Sequence, residues 1–169
     1  MLLQIDTRQK KNHHKAKEEW FAKNGIETVP GKLLVGDYAI ASKMNVVVDT
    51  KANISELYSN LIQQHTRFRN ECILAQKAGI KLYILVENTE GVCSANDLKS
   101  WKNPQMLQWF KRCRIATLKG QEKPKPPATN VQLIKIMHSM TKSYGVEFIF
   151  CDPIDAGKEV LRLLMKYEG

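Results

Sequence analysis

A chain of 169 residues, 43% hydrophobic and 25% charged, suits one domain with a real core and leaves no room for a second large one. Its formal net charge of +9 makes a polyanion the leading partner, although a basic scaffold role gives the same number. No window approaches the apolar length needed to span a bilayer, and the start reads as a short strand followed by charge, which excludes a signal peptide and predicts a cytoplasmic protein.

Cysteines at 72, 93, 113 and 151 form no CxxC pair and have no histidine nearby, which excludes a zinc site and predicts reduced, mostly buried thiols. Residues 2–6 read as the first strand, with Asp6 at its end either facing an acidic site or capping a turn. Arg8, Lys10, Lys11, Lys15 and Lys17, with His13 and His14, form a basic segment that either contacts phosphate or lines a wet helix face. The helix it enters runs through Trp20 and Phe21 to the stop Asn24-Gly25. The adjacent histidines diverge on a helix and do not chelate together. A second strand spans 26–29, and Pro30-Gly31 turns the chain.

Leu33-Leu34-Val35 and Val46-Val47-Val48 read as the two strands of a hairpin, with Gly36-Asp37-Tyr38 on the first and turn-like residues 41–45 between them. Three valines without polar alternation predict a central strand covered on both faces. Side chains at i and i+2 share a face, so Asp49 and Lys51 point one way with Val47 behind them, and Asp37 approaches from the neighbouring strand. Two carboxylates held at the end of an apolar strand repel each other and lose hydration, which a divalent cation relieves. Mg2+, with Mn2+ as a substitute, keeps several waters and suits phosphate chemistry, while an adjacent ammonium orients or activates the attacking water. The plainer alternative is a solvated strand end carrying an i,i+2 ion pair.

After Lys51 the pattern predicts a long helix with Ile54, Leu57, Leu61, Ile62, Phe68, Cys72 and Ala75 inward. Glu56, Asn60, Gln64, Arg67 and Glu71 fall on the other face at steps of four, four, three and four, where Arg67 and Glu71 are spaced to pair. Residues 77–79 end the helix and 80–87 form a buried strand. Between 88 and 125 stand turn residues, Trp101, Trp109 and Lys111-Arg112-Cys113-Arg114. These either offer stacking and phosphate contacts to nucleic acid or, for the tryptophans, pack into the core. Residues 121–127 read as a stiff basic loop. A helix over 128–144 turns Val131, Ile134, Met137 and Met140 inward, and 146–150 is the last strand. Asp152-Pro153 starts a final helix carrying Val160, Leu161, Leu164 and Tyr167. The alternation predicts a single α/β domain over residues 1–169, a central mixed β-sheet flanked by helices.

Five pieces keep one order and spacing: Asp6-Thr7-Arg8-Gln9, Gly36-Asp37-Tyr38, Asp49-Thr50-Lys51 with Glu56-Leu57, Arg67-Phe68, and the strand that ends Leu85-Val86-Glu87. Residues 5–87 thereby resemble the nuclease domain of the XPF family of structure-specific endonucleases, in the PD-(D/E)xK superfamily, and the remainder to about Leu164 follows in outline. Asp49, Thr50 and Gln9 stand where that family has Glu, Arg and Glu, and the acid after the triplet comes one residue late at Glu56. The resemblance implies a restriction-endonuclease-like fold and a Mg2+-dependent endodeoxyribonuclease that cuts branched or flapped DNA in repair or recombination, in a microbial or phage setting.

On that resemblance Asp37, Asp49 and the backbone carbonyl of Thr50 hold the metal and Lys51 orients or activates water. Asp6 and Glu56 are further catalytic candidates. Arg67 grips the backbone beside the scissile phosphate, and Arg8, Lys10, Lys11, Arg69, Lys111, Arg112 and Arg114 join it as DNA-binding candidates. Family members pair through this domain and often carry a helix-hairpin-helix module. None is evident here, so recognition is expected from the domain itself, a homodimer or a partner protein. The alternatives are an inactive DNA-binding pseudonuclease and a basic RNA-binding or assembly protein.

Overall fold

The structure is a computed structural model, which describes residues 1–8 and 14–166; the candidates Gln9, Lys10, Lys11, His13 and Tyr167 lie outside the described residues. Six strands form one mixed sheet in the order β2-β1-β3-β4-β5-β6. They are β1 (Leu2–Asp6), β2 (Glu27–Gly31), β3 (Tyr38–Ile40), β4 (Lys43–Lys51), β5 (Lys81–Glu87) and β6 (Glu147–Cys151). β3 runs antiparallel to β1 and β4, whereas β1–β2, β4–β5 and β5–β6 are parallel. Parallel neighbours require crossovers. These are α1 (Lys15–Lys23), then α2 (Ile54–Tyr58) with α3 (His65–Lys77), then α4 (Pro104–Leu118) with α5 (Asn130–Tyr144); α6 (Ala156–Lys166) follows β6. Among the described residues no helix is long and apolar enough to cross a membrane.

The valine run is the centre of the sheet, and its two faces make two cores. Val47 packs with Ile84, Val86, Leu57, Phe68 and Met137. Val46 and Val48 pack on the other side with Leu3, Tyr83, Leu85, Phe21 and Leu163. None of the three valines is more than 2% exposed, as expected of a strand covered on both faces. Because β1, β4 and β5 share one direction, Asp6, the Asp49–Lys51 segment and Glu87 all reach the same edge. The crevice outside the carboxyl ends of strands is where α/β sheets bind ligands.

Several elements differ from the sequence reading. Residues 33–35 are irregular, and the strand begins at Tyr38, after the Gly36-Asp37 pair. Both edges of β1 are already taken by β2 and β3, so Leu33 and Val35 bury their side chains without a ladder. The turn is only Ala41-Ser42; Lys43, Met44 and Asn45 belong to β4. β2 starts one residue later than expected and ends two later, so it includes Pro30, which an edge strand tolerates. The long helix is broken by a π turn over Ser59–Gln63. The segment after residue 88 contains a 3-10 turn, Ala95–Ser100, and α4, whose propensity was masked by its mixed apolar and basic faces. Val131 is exposed because it lies in the capped first turn of α5, where Thr129 and Gln132 form a capping box; Leu133 is buried instead. In α6 Leu163 fills the core, and Leu161 sits at its margin. Only Cys72 among the free cysteines is buried, since the other three fall at element ends or on the outward helix α4. Trp101 does enter the core, while half-buried Trp109 donates its Nε1–H to Pro124 O at 2.8 Å.

Gly36 has φ +66°, and a Cβ there would lie 2.5 Å from Val47 Cγ1. Gly25 has nearly the same φ, +69°, with nothing within 4 Å. Gly36→Ala should therefore cost about 3 kcal/mol in urea unfolding, and Gly25→Ala only about 1 kcal/mol, the difference being the clash against β4.

Candidate active site

The carboxyl edge of β1 and β4, the loop before β3 and one face of α2–α3 enclose an open cleft of about 800 Å³. Asp37, Asp49 and Lys51 line it and are 1%, 6% and 6% exposed, so the acid-x-Lys triplet is not a solvated strand end. Lys51 Nζ pairs with the buried Asp49 Oδ2 at 2.6 Å, and that oxygen has no further hydrogen-bond partner. The ammonium also stands 6.0 Å from the centre of the Phe68 ring. Burial works to lower the Lys51 pKa, but the charge and contact of Asp49, helped by Asp37 and Glu71, outweigh it and hold the group above its ordinary value.

Asp37 Oδ2 accepts two bonds from Thr50, from its N–H and its hydroxyl, both at 2.7 Å. Burial pushes the Asp37 carboxyl well above the ordinary carboxylate range and the charge of Asp49 adds to it; the Thr50 bonds and Lys51 offset this only in part. Thr50 thus enters the site through its donors, which tether Asp37 across the hairpin.

Asp6 is buried in the same cleft and also accepts from the N–H of Arg8 at 3.0 Å, so it both faces the cleft and caps the turn after β1. The Arg8 guanidinium forks onto it, with Nε 3.1 and 2.9 Å from the two oxygens and Nη2 in contact with Oδ2. Arg8 Nη2 also donates to Leu33 O at 2.7 Å. Burial alone would raise the Asp6 carboxyl, but the hydrogen bonds and charge of Arg8 carry it below its ordinary value. Glu56 lines the cleft with one oxygen committed to the Ala52 N–H at 2.7 Å, as part of the α2 cap with Asn53.

The stripe Glu56, Asn60, Gln64, Arg67 and Glu71 forms one wall of the cleft, joined by Ser59, Asn70 and Leu74. Glu71 accepts from the Gly36 N–H at 3.1 Å, and Arg67 reaches it only as a charge. The sequence placed Glu71 on this stripe, but its bond to Gly36 spans 35 residues and has no local signal. The adjacent Cys72 thiol is pushed up to about 12 by burial and by the charges of Glu71 and Asp49, so it is an inert packing group.

Other basic candidates lie elsewhere. Arg69 donates to Tyr144 OH at 2.8 Å, away from the cleft lining. Lys111, Arg112 and Arg114 are exposed on α4, a helix without an acidic residue. Among the described residues no three His, Cys, Asp or Glu side chains converge closely enough to hold a metal on their own.

A mixed α/β sheet that gathers two carboxylates and a lysine at its carboxyl edge has the architecture of a restriction-endonuclease-like nuclease domain. The ERCC4 domain matches residues 5–164, and the chain belongs to that family, which comprises nucleases of the XPF type that act on DNA. No curated protein matches the chain significantly.

The buried acid pair sets a pH dependence whose sign follows from Asp37. An acid with a raised folded pKa keeps its proton after the unfolded chain has lost it, so stability falls as pH rises from the ordinary value of 3.8 through the folded pKa. Asp6 has the opposite sign, its contribution being present above 3.8 and lost as pH falls through its lowered pKa. In EDTA the melting temperature of wild type should therefore drop from weakly acidic to neutral pH, and Asp37→Asn should flatten the drop. Thermal unfolding across that range checks this, and a wild-type Tm that climbs throughout contradicts it.

Proposed function

We propose that this protein is a Mg2+-dependent DNA endonuclease, with Mn2+ able to substitute, which hydrolyses phosphodiester bonds in branched or flapped DNA during repair or recombination. The observation that carries the proposal is the buried Asp37–Asp49 pair with Lys51 at the edge of the cleft. The residues fit a hard cation. Two carboxylates repel each other in a buried site, the Asp49 Oδ2 has no partner besides the Lys51 ammonium, and two acids with a backbone carbonyl suit an ion that keeps most of its waters. Asp37, Asp49 and the carbonyl of Thr50 would hold it. When bound, the cation supplies charge stabilisation at the phosphate and a more acidic water.

The chain's own groups do the rest. Lys51 is held as an ammonium by Asp49, so it orients water and a phosphate oxygen and does not act as a base. Thr50 keeps Asp37 in place, and the Arg8 fork keeps Asp6 ionised at the cleft edge. Arg67 stands on the wall where the backbone flanking the scissile phosphate would pass. Asp6 and Glu56 are each committed to a neighbour and support the site from its margin. Lys111, Arg112 and Arg114 give α4 a phosphate-binding face, and Lys10 and Lys11 extend the basic segment after β1. Branch preference would come from the domain, a homodimer or a partner protein.

Labelled flap, fork and four-way-junction DNA incubated with Mg2+, Mn2+ or EDTA should be cut only with metal. Lys51→Ala and Asp49→Ala should each lose at least about a hundredfold in rate while still binding DNA. Binding without cleavage in either metal would leave an inactive DNA-binding pseudonuclease. The unrelated RNA-binding or assembly reading requires Asp37 and Asp49 to lie apart, and they share one cleft.

Replacing Lys111, Arg112 and Arg114 together by alanine should weaken binding to all DNA forms alike and reduce the slope of log affinity against log salt by about two to three. Fluorescence anisotropy over a salt series measures it.

A further inference from the structure

Asp37 reaches the cleft on a stretch, residues 33–37, through which no strand ladder runs; its carboxylate is held by the two Thr50 bonds, and its backbone by individual hydrogen bonds. Its N–H donates to Val48 O and its carbonyl accepts from the Asp6 N–H, both at 2.9 Å. One residue earlier, buried Gly36 is wedged against Val47, and its N–H donates to Glu71 Oε1 at 3.1 Å. An amide buried there without an acceptor would be costly. Glu71 comes from α3 and itself lines the cleft with Asp37, Asp49 and Lys51. An ion pair with Arg67 does not explain it, because Arg67 acts on it only as a charge.

We infer that Glu71 is a positioning residue of this site: by accepting the Gly36 N–H it clamps the turn before β3 onto α3 and sets the Asp37 carboxylate in register with Asp49 and Lys51. The inference rests on the reading of Asp37 and Asp49 as the cation-holding pair. What Glu71 contributes is reach. A neutral amide oxygen would accept the same bond, whereas a third negative charge beside Asp37 and Asp49 adds repulsion. Glutamine keeps the reach and loses the charge, and aspartate keeps the charge but is one methylene shorter. Glu71→Gln and Glu71→Asp therefore separate the two contributions without emptying the position.

On the full chain, amide hydrogen exchange at Gly36 and Asp37 should speed up about tenfold in Glu71→Asp and stay within about threefold of wild type in Glu71→Gln. Mn2+ affinity of the protein alone should fall about tenfold in Glu71→Asp and hold in Glu71→Gln. The metal midpoint for cleavage should follow the same order, with KM for DNA unchanged. The opposite order, or Gly36 exchange unchanged in both variants, overturns the clamp. A wild-type protein that neither binds Mn2+ nor cuts DNA overturns the nuclease reading instead, while the Gly36 exchange still decides the clamp.

Discussion

Two carboxylates buried in one cleft repel each other, and the contacts of Thr50 and Lys51 hold Asp37 and Asp49 in that arrangement. The cost of burying a charge without a partner is several kcal/mol. Lys51 offsets part of it from within the same strand, Thr50 gives Asp37 two donors, and Arg8 pairs with Asp6. What these partners leave uncompensated shows in Asp37, whose carboxyl stays well above the ordinary carboxylate range. The cleft carries five acids (Asp6, Asp37, Asp49, Glu56, Glu71) against three bases (Arg8, Lys51, Arg67), in a chain whose net charge is +9. The local sign is thus opposite to the global one. The acid-rich cleft opens within a chain of net positive charge.

The sheet makes this possible by direction as much as by burial. β1 and β4 run the same way because the intervening β3 is antiparallel to both, so Asp6 and Asp49 end at one edge although 43 positions separate them. The helical wall completes the site. With the π turn at Ser59–Gln63, α2 and α3 present Glu56, Asn60, Gln64, Arg67 and Glu71 to one cleft while Leu57, Leu61 and Phe68 stay in the core. π turns inside helices recur at functional sites.

Burial also sorts the chemistry of the remaining polar groups. Lys17 and Glu87 pair on the α1 side of the sheet, and His14 contacts Tyr38 there, on the face opposite the acid pair's core. Cys72 lies one residue from Glu71, yet its thiol is held protonated.

The sequence by itself determined what depends on local periodicity: the doubly covered valine strand, the shared face of Asp49 and Lys51, the polar stripe from Glu56 to Glu71, and the basic balance. Each follows from a repeat of two or about 3.6 residues, which survives in any fold that buries the apolar face. It misplaced the strand beside the valines, putting it at residues 33–35, because Leu33 and Val35 are buried by the core and not by a ladder. The π turn and α4 escaped as well, since neither has a clean apolar stripe. Only the tertiary structure decided that Arg8 closes on Asp6, that Thr50 holds Asp37 and that Glu71 holds Gly36. The last two contacts join residues 13 and 35 positions apart, and such pairings are set by strand order and helix packing, which no local pattern encodes.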